Sequence, residues 1–142
     1  MKTPQYFTLE ELLTSSTARQ KSIENLPSWE IVEHLNELAL FLDGVRESWG
    51  SCIRVSSGYR NKKLNNAVGG VKESLHKTGY AADIQPINGK FEDFKRFIVD
   101  YLKDKMFDEC IIESDKKGNR WIHIQLYSNN GFQRRKVFSL AA

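Results

Sequence analysis

The sequence contains few cysteines, few histidines and no long apolar run, and each shortage excludes a class of protein. The two cysteines, Cys52 and Cys110, lie in short apolar stretches without the spacing of a cysteine metal site, so we expect buried free thiols. No stretch approaches the roughly 20 apolar residues that a membrane-spanning helix requires. The N-terminal stretch MKTPQYFTLEELL also lacks the apolar segment of a signal peptide. We therefore expect neither a membrane partner nor classical secretion.

The charge of the chain is modest and dispersed. The formal net charge is +3, and the densest basic cluster is QRRKV at residues 133–137. Nucleic-acid-binding domains usually carry a stronger basic stripe, so we expect no nucleic-acid partner. Hydrophobic residues make up 40% of the 142 positions, which suits one compact core, and the sequence has no internal repeats. We expect residues 1–142 to form a single domain and a monomer.

Hydrophobic periodicity predicts helices early in the chain and strands later. Four helices are indicated: 8–19, 28–49, a short one ending at the Gly69-Gly70 pair, and 91–103. Thr8, with Glu11 at the capping-box position, and Ser28 are the expected N-caps of the first two helices. The expected strands are SCIRVSS, GYAADIQP, DECIIES, RWIHIQLY and KVFSL. This order indicates an α+β fold with a largely antiparallel sheet.

The stretch SLHKTGYAADIQP places a histidine and an aspartate where they can share a metal ion. A catalytic zinc site usually has three ligands from His, Asp, Glu or Cys and keeps a fourth position open. His76 and Asp83 supply two such side chains, and Gly79 between them permits a left-handed turn that folds one towards the other. In isolation, the stretch is equally compatible with an ordinary loop and a solvated aspartate.

His123 is the best candidate for a third ligand. On a strand its neighbours Ile122 and Ile124 face away from it, so it shares a sheet face with Trp121 and Gln125. A histidine on an apolar strand is more often a core residue, but the preceding His-x6-Asp element favours a metal ligand. The remaining histidine, His34, lies between two glutamates off the apolar stripe of its helix, and we expect it to be exposed and without function.

Three motifs, in this order, resemble those of a known family. SSGYR at 56–60, SLHKTGYAAD at 74–83 and WIH at 121–123 are similar to the zinc D-alanyl-D-alanine carboxypeptidase family, which includes VanX-like dipeptidases and phage endolysins. The resemblance covers roughly residues 30–127, and residues 1–25 stand outside it as an N-terminal extension. It implies a hedgehog or DD-peptidase-like α+β fold, with a mostly antiparallel central sheet and helices packed on one side.

The resemblance also implies roles for single residues. It assigns a Zn²⁺ ion to three ligands: His76, Asp83 and His123. Arg60 would bind the carboxylate or carbonyl of the substrate and polarise the scissile bond, although it could also be a solvated arginine after a turn. Ser74 would hydrogen-bond the substrate near the metal, or else it only caps the turn. Trp121 would contact the substrate.

The sequence departs from the family at the general base. Several members carry an acidic residue three positions before the last zinc histidine, and here that position is Arg120. A hairpin loop of residues 115–119 would put Glu113 on the face of His123, within reach of the reacting water. A shorter loop would turn Glu113 to the other face and leave Asp115 as the alternative base.

The function implied is that of a zinc metallopeptidase, a hydrolase that cleaves peptidoglycan stem peptides with a metal-activated water. The bond would be that of a D-Ala-D-Ala carboxypeptidase or of an L-Ala-D-Glu-type endopeptidase. Two alternatives stay open: an inactive cell-wall-binding module that keeps the fold, and a basic nucleic-acid-binding domain. The implied substrate lies outside the cytoplasmic membrane, yet the sequence shows no export signal. We therefore expect a protein made in the cytoplasm that reaches the wall by phage or prophage release, or within a virion.

Overall fold

The computed structural model of the protein describes residues 2–141, in which helices precede most of the strands. The helices are α1 (Leu9–Leu13), α2 (Ser16–Gln20), α3 (Trp29–Trp49), α4 (Lys62–Ala67) and α5 (Phe91–Tyr101). Two short 3-10 turns span Leu75–Thr78 and Leu102–Asp104. The strands are β1 (Ile53–Ser57), β2 (Ala81–Pro86), β3 (Glu109–Ser114), β4 (Arg120–Gln125) and β5 (Lys136–Ala141).

The strands form one sheet in the order β1-β2-β4-β3-β5. Three of the pairings are antiparallel, and only β5 runs parallel to its neighbour β3. The predicted α+β fold with a mostly antiparallel sheet is therefore confirmed. Within the described part of the chain, no helix combines the length and the apolar character needed to cross a membrane.

The two faces of the sheet differ in what covers them. The side chains of Ile84, Ile122 and Ile124 are completely buried, and they belong to one hydrophobic cluster with residues of α3 and α5. Because strand residues alternate between faces, Asp83 and His123 lie on the opposite side of the sheet. The longer helices thus bury one face, and the polar residues are collected on the other.

The N-terminal segment contains two short helices where the sequence predicted one helix over 8–19. Thr8 caps α1 as expected, because its hydroxyl accepts a hydrogen bond from Glu11 N at 3.1 Å. The chain then becomes extended at Thr14, whose hydroxyl donates to Glu10 O at 2.7 Å, and Ser15 caps α2. Hydroxyl side chains that bond to nearby backbone groups compete with helix continuation, which explains the break.

The N-terminal segment also packs against the rest of the protein. Phe7 and Leu12 are buried in the same hydrophobic cluster as the sheet. The carbonyl of Leu12 accepts a hydrogen bond from Tyr59 N at 2.8 Å, next to Gly58. A Cβ atom at Gly58 would lie 2.3 Å from that carbonyl oxygen, so this close approach requires glycine. Residues before position 25 therefore help to shape the loop after β1.

The expectation of two buried thiols is half correct. Cys110 is fully buried on β3, whereas Cys52 is exposed. Cys52 immediately precedes Ile53, whose side chain points into the core at the start of the edge strand β1. Alternation along the strand turns Cys52 the other way, and within residues 2–141 no further strand lies beyond β1 to cover it. The prediction of burial for Cys52 is wrong for that reason.

Candidate active site

The polar face of the sheet borders a cleft of about 380 Å³. Strands β2, β3 and β4 form its floor, the segment around Ser74 forms one wall, and Leu140 of β5 contributes to another. The ionisable side chains that line it are Arg60, Glu73, His76, Asp83, Glu109, Glu113 and His123. A separate cavity of about 310 Å³ between the N-terminal segment and α3 is mostly apolar and has no ionisable side chain in its lining. The chemistry of the protein is therefore expected in the cleft.

Hydrogen bonds of its backbone and its ring hold His76 in the lining of the cleft. It lies on the 3-10 turn, where its backbone N–H donates to the Ser74 hydroxyl at 3.2 Å. Its imidazole Nδ1 donates to the Gly58 carbonyl at 2.8 Å, and its own carbonyl accepts from Arg60 N at 3.0 Å. Only 2% of its surface is exposed. These bonds leave the lone pair of Nε2 pointing into the site.

Gly79 makes the turn that joins His76 to Asp83. It ends the 3-10 turn in the left-handed conformation, with φ of +83°, as its place in the sequence predicted. The chain then enters β2, and Asp83 pairs with His123 of β4 across the antiparallel ladder. The His-x6-Asp element and the third histidine therefore meet through a turn and one strand pairing.

The three predicted ligands come together as a group. Asp83 Oδ1 lies 3.4 Å from His76 Nε2 and 3.1 Å from His123 Nδ1, and the donor atoms of all three lie within 4.8 Å of one another. Ligand atoms bound at about 2.0–2.1 Å to a tetrahedral zinc ion are roughly 3.3 Å apart, so the two measured separations fit. Two imidazole nitrogens, one carboxylate and an open fourth position are the donor set of a catalytic zinc site.

Each histidine of the group is anchored through its other ring nitrogen. His123 Nε2 lies 2.6 Å from Gln125 Oε1, and Gln125 Nε2 donates in turn to Asp108 Oδ2 at 2.7 Å. Sequence alternation already placed Gln125 on the face of His123. Asp108 precedes β3. No sequence pattern predicts its contact with Gln125, because only the fold brings the two residues together. Hydrogen bonds of this kind orient metal-binding imidazoles and raise their affinity.

Burial and charge have opposing effects on the pKa values of the three predicted ligands. Burial would raise the pKa of Asp83, but the two imidazoles outweigh it and hold that pKa well below its usual range. For His76 burial dominates and lowers the pKa below 6.5, despite the nearby carboxylate. For His123 burial also favours the neutral form, but hydrogen bonding to Asp83 prevails and raises the pKa. The carboxylate thus remains ionised at neutral pH and available to a cation.

The register of the β3–β4 hairpin is the one that the prediction for Glu113 requires. Ser114 pairs with Arg120 and Glu113 pairs with Trp121, so Glu113 lies on the face of His123 and diagonal to it. Glu113 lines the cleft and is partly buried. Burial, followed by the charge of Asp83, raises its pKa above the ordinary 4.5. The carboxylate of Glu113 is accordingly more basic than that of a solvated glutamate.

Arg60 faces the same cleft from the loop after β1. Burial lowers the pKa of its guanidinium, while Asp83 and Glu113 partly oppose this. The Nε atom is buried and has no hydrogen-bond partner within residues 2–141. A buried donor without a partner is costly, so a group that enters the cleft and accepts from Arg60 would gain by doing so. The solvated arginine that the sequence left open is not observed.

Arg120 and Asp115 have roles outside the cleft. Arg120 points to the helical side of the sheet, where it pairs with Glu92 and lies over the Phe91 ring at 4.6 Å. Asp115 accepts three hydrogen bonds of 2.9 Å from Lys117 and Asn119 and so fixes the hairpin turn. An acidic residue three positions before His123 would face away from the ligands, because odd spacings on a strand change faces.

Ser74 and Trp121 were both predicted to contact the substrate, but only Ser74 is among the described residues that line the cleft. Ser74 caps the 3-10 turn, which was one of the two roles that the sequence left open for it. It also lines the cleft. Trp121 shares the face of His123, yet in the described chain it is not among the residues that line the cleft. In the hairpin it lies opposite Glu113.

His34 does not fit the expectation of an exposed histidine. Its side chain is only 22% exposed and its ring stacks on Tyr80, with centroids 4.1 Å apart. Its Nδ1 donates to the Thr78 carbonyl at 2.7 Å, at the end of the turn that carries His76. The helix periodicity correctly kept His34 off the buried stripe, but it could not show that the 3-10 turn and β2 cover that flank.

Comparison with known proteins agrees with this site. The family model described as Peptidase M15 matches residues 5–125, which include all three predicted ligands, Arg60 and Glu113. The match begins well before the motifs, so it takes in the N-terminal segment that contacts the Gly58 loop. A search of curated proteins finds no match. The family model covers most of the chain, and the protein belongs to the Peptidase M15 family.

Proposed function

We propose that the protein is a zinc-dependent peptidase that hydrolyses peptide bonds in peptidoglycan stem peptides. The observation that carries the proposal is the group of His76, Asp83 and His123 at the floor of a cleft that also contains Glu113 and Arg60. Membership of a peptidase family supports the reaction type. The motifs that resemble D-alanyl-D-alanine carboxypeptidases support the stem peptide as substrate.

The residues of the cleft divide the chemistry among them. The three ligands would hold a zinc ion, which when bound supplies Lewis acidity, lowers the pKa of water to about 7 and polarises a carbonyl. Glu113 accepts the proton of the attacking water and then delivers it to the departing amine. Arg60 donates hydrogen bonds to the oxygen on which negative charge develops, or to a carboxylate of the peptide.

Glu113 suits the role of base for a physical reason. A general base works best when its pKa approaches the working pH, and burial in the cleft moves the pKa of Glu113 in that direction. Because Glu113 is diagonal to His123, its carboxylate lies on the same sheet face as the three predicted ligands. It is not itself one of the residues that could hold the metal. Asp115 is committed to the hairpin turn and is the weaker candidate.

The first experiment measures zinc and cleavage together. Elemental analysis of the purified wild type should give about one zinc per chain, and the His76→Ala and His123→Ala variants should lose it. His34→Gln is the matched control, because it changes the remaining histidine but keeps a donor for the Thr78 carbonyl. Cleavage is followed by mass spectrometry of purified wall peptides, some ending in D-Ala-D-Ala and others containing an internal L-Ala-D-Glu bond.

The outcomes separate the possible functions. Zinc binding with release of D-alanine indicates a carboxypeptidase, and zinc binding with internal cleavage indicates an endopeptidase. Zinc binding without cleavage of any wall peptide would contradict the proposed activity and favour a wall-binding module. Absence of zinc in the wild type, even after reconstitution, would contradict the metal site itself.

A further inference from the structure

Behind His123 a buried row of polar side chains leads away from the cleft. His123 Nε2 lies 2.6 Å from Gln125 Oε1, and Gln125 Nε2 lies 2.7 Å from Asp108 Oδ2. Arg134 binds both oxygens of Asp108 through Nε and Nη2, each at 2.8 Å. Gln125 and Asp108 are 3% and 0% exposed. The row therefore joins a buried ligand to a residue of the C-terminal segment.

The order of donors and acceptors along this row is determined from its far end. A guanidinium can only donate, and an ionised carboxylate can only accept. Asp108, which also accepts from the backbone N–H of Arg134 at 3.1 Å, therefore requires the amide nitrogen of Gln125 as its donor. The amide oxygen of Gln125 must then face His123, so His123 Nε2 must carry a hydrogen. In the neutral imidazole this leaves Nδ1 with a free lone pair.

Nδ1 is the atom that faces the other ligands, 3.1 Å from Asp83 Oδ1. The two histidines thus present opposite ring nitrogens, because His76 donates through Nδ1 and presents Nε2. The partner of His76 is the backbone carbonyl of Gly58, which can only accept. The partner of His123 is a side-chain amide, which could turn over and offer its nitrogen. The carboxylate of Asp108 prevents that reversal, because it needs the amide nitrogen of Gln125 as its donor.

We propose that Gln125, Asp108 and Arg134 are positioning residues that hold His123 in the tautomer whose Nδ1 lone pair faces the metal site. The proposal rests on the proposed zinc site for its functional meaning, although the hydrogen bond from His123 Nε2 to Gln125 exists without metal. Arg134 lies beyond residue 125, where the family match ends. The C-terminal segment, which carries no motif, therefore contributes to the metal site through an ion pair with Asp108.

Two measurements test the proposal, one of them without metal. Nitrogen-15 NMR of the imidazoles in the metal-free protein should show a proton on Nε2 of His123, the atom that faces Gln125. In Gln125→Leu that signal should change to a mixture of the two tautomers. Zinc affinity, measured by competition with a coloured chelator, should fall about 10- to 100-fold in the same variant, the usual effect of removing such a partner.

Matched controls separate positioning from a general loss of structure. Gln85→Leu makes the same change on the same sheet face, where Gln85 Nε2 donates to the Arg120 carbonyl and not to a predicted ligand, and it should leave zinc affinity unchanged. Arg134→Met should weaken zinc binding, whereas Arg135→Met should not, because the side chain of Arg135 donates to the backbone carbonyls of Lys103 and Lys105 and not to Asp108. Arg134→Lys should restore part of the affinity.

A further variant covers the case in which Gln125→Leu does not fold. Gln125→Glu keeps an acceptor for His123 Nε2 but places a second carboxylate against Asp108, so it should lower the melting temperature and preserve the tautomer. The proposal is overturned if Nε2 of wild-type His123 carries no proton in the metal-free protein, or if a folded Gln125→Leu protein binds zinc within twofold of the wild type. If the wild type binds no zinc, the proposed function fails, and the tautomer measurement still decides whether the row positions His123.

Discussion

The two faces of the sheet use the same strands for different purposes. Along β4, Ile122 and Ile124 are completely buried against the helices, while His123 between them faces the cleft. The apolar face is held by burial that has no direction, and the polar face by hydrogen bonds that specify single atoms. The comparison teaches that two of the three predicted ligands, Asp83 and His123, are held in place by the buried apolar residues on either side of them in their strands. A core mutation and a site mutation on neighbouring positions should therefore affect different properties.

The largest effect is expected on the polar face, from Glu113→Gln. Loss of the base should lower kcat for a cleaved wall peptide by about 10²- to 10⁴-fold, with zinc content unchanged. Stability should not fall. Since burial raises the pKa of Glu113 above its unfolded value, its ionised form costs stability at neutral pH, and the amide removes that cost.

The matched control for the base is Asp115→Asn. Asp115 is also an acid on the hairpin, but its oxygens bind the turn, so kcat should stay within a few-fold of the wild type. The comparison is made by steady-state kinetics at 25 °C, with zinc content measured on the same samples. Full activity of Glu113→Gln would show that the base is another residue.

The next effect is expected on the apolar face, from Ile122→Ala. Truncating this fully buried side chain should lower the free energy of unfolding by about 2–5 kcal/mol, because contacts are lost and a cavity forms. Ile87→Ala makes the same change at a residue that is 64% exposed and should cost within about 0.5 kcal/mol. Urea denaturation followed by circular dichroism measures both. Similar costs for the two variants would contradict the assignment of Ile122 to the core.

The smallest effect is a difference in chemical reactivity between the thiols of Cys52 and Cys110. Burial raises the pKa of Cys110 to about 12, so at pH 8 almost none of it is the reactive thiolate, and its sulfur is also inaccessible. A thiol reagent at pH 8 should therefore modify one cysteine per folded chain and two after denaturation. Cys52→Ser should abolish the fast reaction, and Cys110→Ser should preserve it. Rapid modification of Cys110 in the folded protein would show that its side of the core opens readily.

Local sequence patterns correctly predicted those features that depend on neighbouring residues. Thr8 and Ser28 cap helices because a hydroxyl needs only the backbone three positions ahead, and Gly79 turns because it lacks a Cβ. The position of Glu113 followed from the alternation of strand residues and the length of one hairpin loop. These predictions required no knowledge of what packs against the segment.

Burial and long-range polar contacts were predicted less well. Cys52 was expected inside and is exposed, while His34 was expected outside and stacks on Tyr80. The helix over 8–19 is broken at Thr14, where side-chain hydroxyls bond the backbone. In each case the outcome depended on which distant segment covers a surface or on a competition between nearly equal hydrogen bonds.

The sequence by itself determined the α+β class, the positions of most elements and the identity of the three ligand candidates. Hydrophobic period, caps and turns are local properties, and the ligand motif is a fixed spacing of residue types. Only the tertiary structure decided which ring nitrogen each histidine presents. That choice depends on the Gly58 carbonyl for His76, and for His123 on Gln125, Asp108 and Arg134. Hydrogen bonds act over about 3 Å, so residues far apart in sequence act on one another only after the fold brings them into contact.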